Sequence, residues 1–146
     1  MADDLAGVPF AKIVSSPYAR ALATAAPLAA RLGLPAGVDA RLSEFRLSTE
    51  DSPDWQDWLR ATFADPDCVW PGGESARAAT ARARAAVDAA LAQAGGPVAV
   101  ITHGRLMSLL LASFGRAFGF EDWRGLSNPD VYRIGDGVDR LYPFIR

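Results

Sequence analysis

Two short apolar runs containing β-branched residues, "AKIVSS" (11–16) and "GGPVAVIT" (95–102), each lead directly into a helical pattern. No other feature constrains the fold as much. Runs of this length, bounded by Pro17 on one side and by Gly95, Gly96 and Pro97 on the other, read as buried strands. The first is followed by "PYARALATAAPLAARLG", where Tyr18, Leu22, Ala25 and Leu28 or Ala29 share one face, and Gly33 and Pro35 stop it. The second passes through His103 and Gly104 into "RLMSLLLASFG". Strand–helix alternation of this kind predicts an α/β fold with a largely parallel sheet and crossover helices.

The segments between these units fill in the order of elements. A short extended piece, "AGVDARL", precedes the irregular "SEFRLSTEDSPDWQ". Trp55, Trp58, Leu59 and Phe63 then stand at helical spacing behind Ser52 and Pro53, a helix-starting pair. "ADPDCVWPGGES" reads as loop. From Ser75 to Gln93 runs an Ala/Arg helix predicted to bury Thr80, Ala83, Val87 and Leu91. "FEDWRGL" reads as a short helix, and "DVYRI-GDG-VDRLY" as a β-hairpin with a three-residue turn. With 146 residues, the chain is long enough for one domain around one core.

Composition removes several classes of function. Fifteen basic and seventeen acidic residues leave a net charge of −2, and the arginines form no basic run with interleaved aromatics, so nucleic acid is not an expected partner. One cysteine, Cys68, and one histidine, His103, exclude a disulfide framework and a multi-histidine metal site. No apolar run approaches the length of a membrane span. The acidic opening "MADDLAGVPF" does not resemble a secretion signal, so the expected location is cytoplasmic.

In parallel α/β sheets, ligands bind beyond the carboxyl ends of the strands, and two stretches fall there: "SSPYAR" after the first strand and "THGR" after the second. His103 precedes Gly104, read as the residue that lets the backbone turn tightly into a helix whose first N–H groups favour an anion. By position alone, two readings stand for His103: a group that donates to phosphate or moves a proton, or a half-buried histidine satisfied by a backbone carbonyl. Arg20, one turn into the first helix, is either a bidentate anion ligand or a surface cation. Glu44 is either a general acid, with Leu42 and Phe45 raising its pKa, or a solvated carboxylate. "PGGES" offers backbone donors and the Ser75 hydroxyl, which also suits a helix N-cap. Cys68 lacks the following arginine of a cysteine phosphatase loop, and no nucleophile elbow or Walker phosphate loop occurs.

Taken together, "IVSSPYARALATAAPLAARLGLP", "DARLSEFRLS", "PGGES", "VAVITHG" and "FEDWRGLSNPDVYRI" resemble, in order and spacing, the histidine phosphatase superfamily of phosphoglycerate-mutase-like fold. The resemblance implies a three-layer α/β/α architecture. It also implies cofactor-free, metal-free hydrolysis of small phosphomonoesters through a phosphohistidine, phosphomutase chemistry being the less favoured variant. It assigns Arg20 and His103 to the phosphoryl group, Glu44 to protonation of the leaving oxygen, and Ser75 to the substrate-facing loop. Positioned cations and donors of this kind stabilise a phosphoryl group in transfer.

One family feature has no counterpart. The family nucleophile is a histidine in an Arg-His-Gly motif ending an N-terminal first strand, whereas "ITHG" matches the context of the other family histidine. The expectation is therefore one histidine-phosphatase-like domain over residues 1–146, incomplete at its N-terminus and inactive or nearly so as written. The alternative is a non-catalytic module, a degenerate family member that binds phosphate or phosphoesters or serves in interactions. The absent first strand would leave a sheet edge open to self-association into a homo-oligomer.

Overall fold

The structure, a computed structural model, describes residues 1–142. In chain order its elements are α1 (Ala2–Leu5), β1 (Lys12–Ser15), α2 (Ala19–Leu32), β2 (Ala36–Val38), a 3-10 turn (Ala40–Leu42), α3 (Trp55–Ala64), α4 (Ala76–Ala94), β3 (Val98–Ile101), α5 (Gly104–Ser113), α6 (Phe120–Arg124), β4 (Val131–Ile134) and β5 (Val138–Tyr142). They divide into two compact units, Met1–Glu44 with Arg82–His103, and Phe45–Ala81 with the chain from Gly104 onward.

The first unit carries a three-stranded sheet in the order β2-β1-β3. Both pairings are parallel, with Ile13 opposite Ala36 and Ala99, and Val14 opposite Gly37 and Val100. The parallel α/β expectation holds. Flanked on both sides, β1 buries Ile13, Val14 and Ser15 completely or nearly so. The second run is less buried than its sequence suggests. All four residues of β3 are half-buried, because among the described residues only β1 pairs with it.

Helix α2 packs on all three strands and ends where the sequence places its stop. Gly33 takes a left-handed φ of 64°, and the Leu34 amide returns to the Ala29 carbonyl at 3.1 Å, as in a glycine-terminated helix. On the other side of the pleat, Val14 joins Leu42, Ala86 and Ala90 in one core cluster, with Val98 and Val100 against it. The buried stripe of α4 is Ala76, Ala79, Ala83, Ala86 and Ala90, with Val87 beside it, whereas Leu91 is 49% exposed. Ala83 and Val87 are buried as expected, whereas Thr80 is half-buried and the rest of the stripe is alanine, which is small enough to sit close to a sheet but carries little hydropathic weight.

In the second unit, α3, α5 and α6 bury Leu59, Leu106, Leu110, Leu111 and Phe120. The rings of Phe63 and Phe120 meet edge to face at 5.9 Å. Strands β4 and β5 form the predicted hairpin across "GDG". Asp130 grips Arg140, its Oδ1 accepting from Nε at 3.0 Å.

The "PGGES" loop runs along residues 46–49. Thr49 N–H donates to the Pro71 carbonyl at 3.0 Å and Glu74 N–H to the Arg46 carbonyl at 2.9 Å. A Cβ on Gly73 would lie 2.1 Å from the Leu47 carbonyl oxygen, so only glycine allows this approach. Gly73→Ala is expected to cost about 2 kcal/mol, read from the urea midpoint; an unchanged midpoint would mean that the two segments part without cost. Gly104 is different. It is not among the positive-φ glycines and a Cβ there would meet only ordinary contacts at 3.6 Å, so the tight turn into α5 does not depend on glycine.

Candidate functional site

At the carboxyl end of β1 and β3, within the first unit, four side chains converge. Strand β1 runs on through Ser16, whose amide donates to the Ile101 carbonyl at 2.9 Å, while the Ser15 carbonyl receives the Asp39 amide at 2.9 Å. The chain end of the sheet is thereby tied on both sides. Ser16 is fully buried and His103 is 7% exposed.

The His103 ring is held at both nitrogens. Arg20 Nε–H donates to His103 Nδ1 at 3.2 Å. Arginine can only donate, so Nδ1 carries the lone pair and Nε2 the proton. Nε2–H therefore donates to Ser16 Oγ at 2.7 Å, and the same oxygen accepts the Tyr18 amide at 3.3 Å. Burial, then the charges of Arg20 and Arg82, lower the His103 pKa to about 4, which leaves the imidazole neutral near pH 7 in agreement with this tautomer.

Arg20 occupies the second position of α2, nearer the helix start than the full turn expected. A cation at the positive end of a helix is locally unfavourable, and a broken local rule often marks a working site. Its guanidinium stands 4.9 Å from the centroid of the Tyr18 ring, and that ring meets His103 edge-on at 4.9 Å. Beyond the Nε contact, the two Nη groups of Arg20 have no hydrogen-bond partner among the described residues. The result is a half-open site with an unspent bidentate donor beside a buried neutral imidazole. Such a donor pair suits a phosphoryl or carboxylate oxygen. In this arrangement His103 has no lone pair to offer, so it is built to donate rather than to attack.

The structure thus brings Arg20 and His103 into direct contact. The backbone-carbonyl reading of His103 does not hold, since its partners are a hydroxyl and a guanidinium. Glu44, half-buried, lies at the end of the turn that follows β2. That turn is fastened twice. Arg82 Nη1 donates to the carbonyls of Arg41 at 2.6 Å and Ser43 at 2.8 Å, and Nη2 reaches the Glu44 carbonyl at 3.4 Å. Thr102, the residue before His103, donates its hydroxyl to the Leu42 carbonyl at 2.8 Å. Ser75 belongs to the second unit, where its Oγ accepts the Ala78 amide at 3.0 Å and caps α4.

Ser16, Tyr18 and Arg82 were not singled out from the sequence. Ser16 and Tyr18 could have been, standing four and two residues before Arg20 at a strand end. Arg82 gave no signal, because an arginine between alanines in a long helix reads as part of a solvated face. Among the described residues, no group of three or more His, Cys, Asp or Glu side chains is placed to hold a metal ion. Among the same residues, no helix is long and apolar enough to cross a membrane.

The model of the histidine phosphatase superfamily (branch 1) matches residues 1–135. Among solved structures, mycobacterial hydrolase 1 is 31% identical with a TM-score of 0.67, over 86% of this chain and 68% of that one. Mycobacterial glucosyl-3-phosphoglycerate phosphatase is 30% identical with a TM-score of 0.68, over 86% of this chain and 66% of that one. Bacillus stearothermophilus YhfR, at 23% identity and a TM-score of 0.65 over 96% of this chain and 76% of that one, shares the fold. The chain spans 60–68% of the length of the first mycobacterial structures. No curated protein matches it.

Proposed function

The chain belongs to the histidine phosphatase superfamily, and from that premise we propose that its Arg20–His103 cluster is the binding site for the phosphoryl group of a small phosphomonoester. Arg20 holds two phosphoryl oxygens through its Nη groups, and His103 donates from Nε2 once Ser16 yields its place. Glu44 protonates the departing oxygen, so that an alcohol rather than an alkoxide leaves. The reaction class is hydrolysis, in keeping with a similar protein that is a glucosyl-3-phosphoglycerate phosphatase. The observation that carries the reading is the unpartnered end of Arg20 beside a neutral, buried imidazole.

Within these 146 residues the one imidazole serves as a donor, so the chain binds its ligand with negligible turnover. Hydrolysis needs a nucleophile from outside them. The outer edge of β3, which pairs with no strand among the described residues, is the surface through which two copies would associate. The chain acts as one functional domain.

Inorganic phosphate should raise the melting temperature saturably, because a ligand selective for the native state stabilises it. Arg20→Ala removes two charge-assisted bonds and should weaken phosphate binding about 100-fold, measured by calorimetry. Unaltered affinity in that variant would refute the assignment. Release of p-nitrophenol from its phosphate should stay at background. Turnover that disappears in both Arg20→Ala and His103→Ala would show that the chain holds its own nucleophile.

A further inference from the structure

We infer that Arg82 is a positioning residue of this site: from α4 one guanidinium gathers three carbonyls of one turn, those of Arg41, Ser43 and Glu44, and so fixes the backbone that carries Glu44, which Thr102 ties to the strand end that carries His103. The inference rests on the phosphoryl-site reading, and it assigns work to a residue that reads, by its place between alanines, as part of a solvated helix face.

The geometry has few alternatives. The turn after β2 has little regular structure of its own beyond the 3-10 bonds from the Leu42 amide to the Asp39 carbonyl at 3.0 Å and from the Ser43 amide to the Ala40 carbonyl at 3.1 Å. Its carbonyls would otherwise face water and the segment would fray. Arg82 Nη1 lies 2.6 Å from the Arg41 oxygen and 2.8 Å from the Ser43 oxygen, with Nη2 at 3.4 Å from the Glu44 oxygen. A planar fork with donors at fixed angles can hold acceptors spread along a turn in this way, whereas a single ammonium cannot. From the end of β3, Thr102 fixes the Leu42 carbonyl at 2.8 Å. Turn and strand end are therefore clamped together, one residue from His103 on one chain segment and at Glu44 on the other.

The position of the charge adds a second effect. Arg82 is close enough to His103 to help hold its imidazole neutral, together with burial and with Arg20. Ser16 and Tyr18, the other groups against the ring, are uncharged partners. Arg82 thus acts on the site without touching ligand, through backbone geometry and through the field at the imidazole.

The test uses the full chain with Arg82→Gln and Arg82→Lys. Three quantities are read: amide hydrogen exchange at Arg41, Leu42 and Ser43, the NMR titration midpoint of the single imidazole, and the affinity for inorganic phosphate. In Arg82→Gln, exchange at the turn should quicken about tenfold, phosphate should bind about tenfold more weakly, and the His103 midpoint should rise. Arg82→Lys keeps the charge and should return the midpoint to its original value, while exchange stays fast and phosphate stays weak. Full recovery of all three by lysine would overturn the positioning role, leaving only a charge effect. A lower melting temperature with midpoint and phosphate affinity unmoved would reduce Arg82 to a structural residue. If the unaltered chain binds no phosphate, it is the phosphoryl-site reading that fails, and exchange and midpoint still decide the case of Arg82.

Discussion

Replacing Arg105 by alanine is expected to destabilise the native state by about 4 kcal/mol, the largest effect of any single substitution considered. Arg105 is 5% exposed at the start of α5. Its Nη2 donates to both the carbonyl and the hydroxyl of Thr62 at 3.1 Å, and its Nη1 to Ser108 Oγ at 3.0 Å. The guanidinium carbon also stands over the Phe63 ring, 3.5 Å from its centroid. Truncation leaves a buried carbonyl without its donor and an empty volume beside an aromatic face. Thr62 and Ser108 each keep one bond, to the carbonyls of Leu59 at 2.7 Å and Arg105 at 2.6 Å, so the loss falls on their acceptor sides.

Removing a buried cation also relieves its desolvation, which opposes this loss. That relief is common to alanine and methionine, so Arg105→Met separates the cavity from the orphaned acceptors, because methionine fills most of the space. It should cost about 2 kcal/mol, the part due to orphaned acceptors, with the remainder of the alanine effect due to the cavity. Urea denaturation of both variants gives the numbers. A loss below about 1 kcal/mol for alanine would mean that the Thr62–Ser108 network rearranges around the gap.

Arg105 illustrates which parts of this protein were legible beforehand. Strands β1 and β3 and the stop of α2 followed from short β-branched runs, Pro17 and Gly33, all of which act locally. Arg105 sits in "THGRLMS", a stretch read for its histidine, and nothing local distinguishes a buried arginine from a surface one. The same blindness hid Arg82 and the alanine stripe of α4. In both cases the deciding partner lies far along the chain, the Arg41 carbonyl for Arg82 and Val14 for Ala86. Arg20 and His103, 83 residues apart, were paired in advance through family resemblance. Composition and periodicity gave only two strand ends facing the same way. Tyr18 and Ser16 complete the cluster because β1 ends where it does, a boundary the sequence left uncertain by a residue or two.

Acidification should reveal the state of His103 directly. Its native pKa of about 4 lies below the ordinary 6.5, so between these values the unfolded chain binds a proton that the native chain refuses. Stability then rises with pH across that window. The contribution is complete above pH 6.5 and is lost as the pH falls towards 4, amounting to about 3 kcal/mol in all. Most carboxylates titrate at the lower end of this window or below it, so the slope between pH 6.5 and 5 belongs chiefly to the histidine. It should vanish in His103→Gln. Phosphate should change the slope in a definite direction. A dianion at Arg20 offsets the two guanidinium charges that depress the imidazole, so the native pKa rises and binding draws in a proton. With saturating phosphate the stability curve should flatten between pH 6.5 and 5, and the single imidazole signal should titrate at a higher midpoint. A native midpoint near 6.5 without phosphate would mean that the ring is neither buried nor flanked by cations. The contact on which the phosphoryl site is built would then not exist in solution.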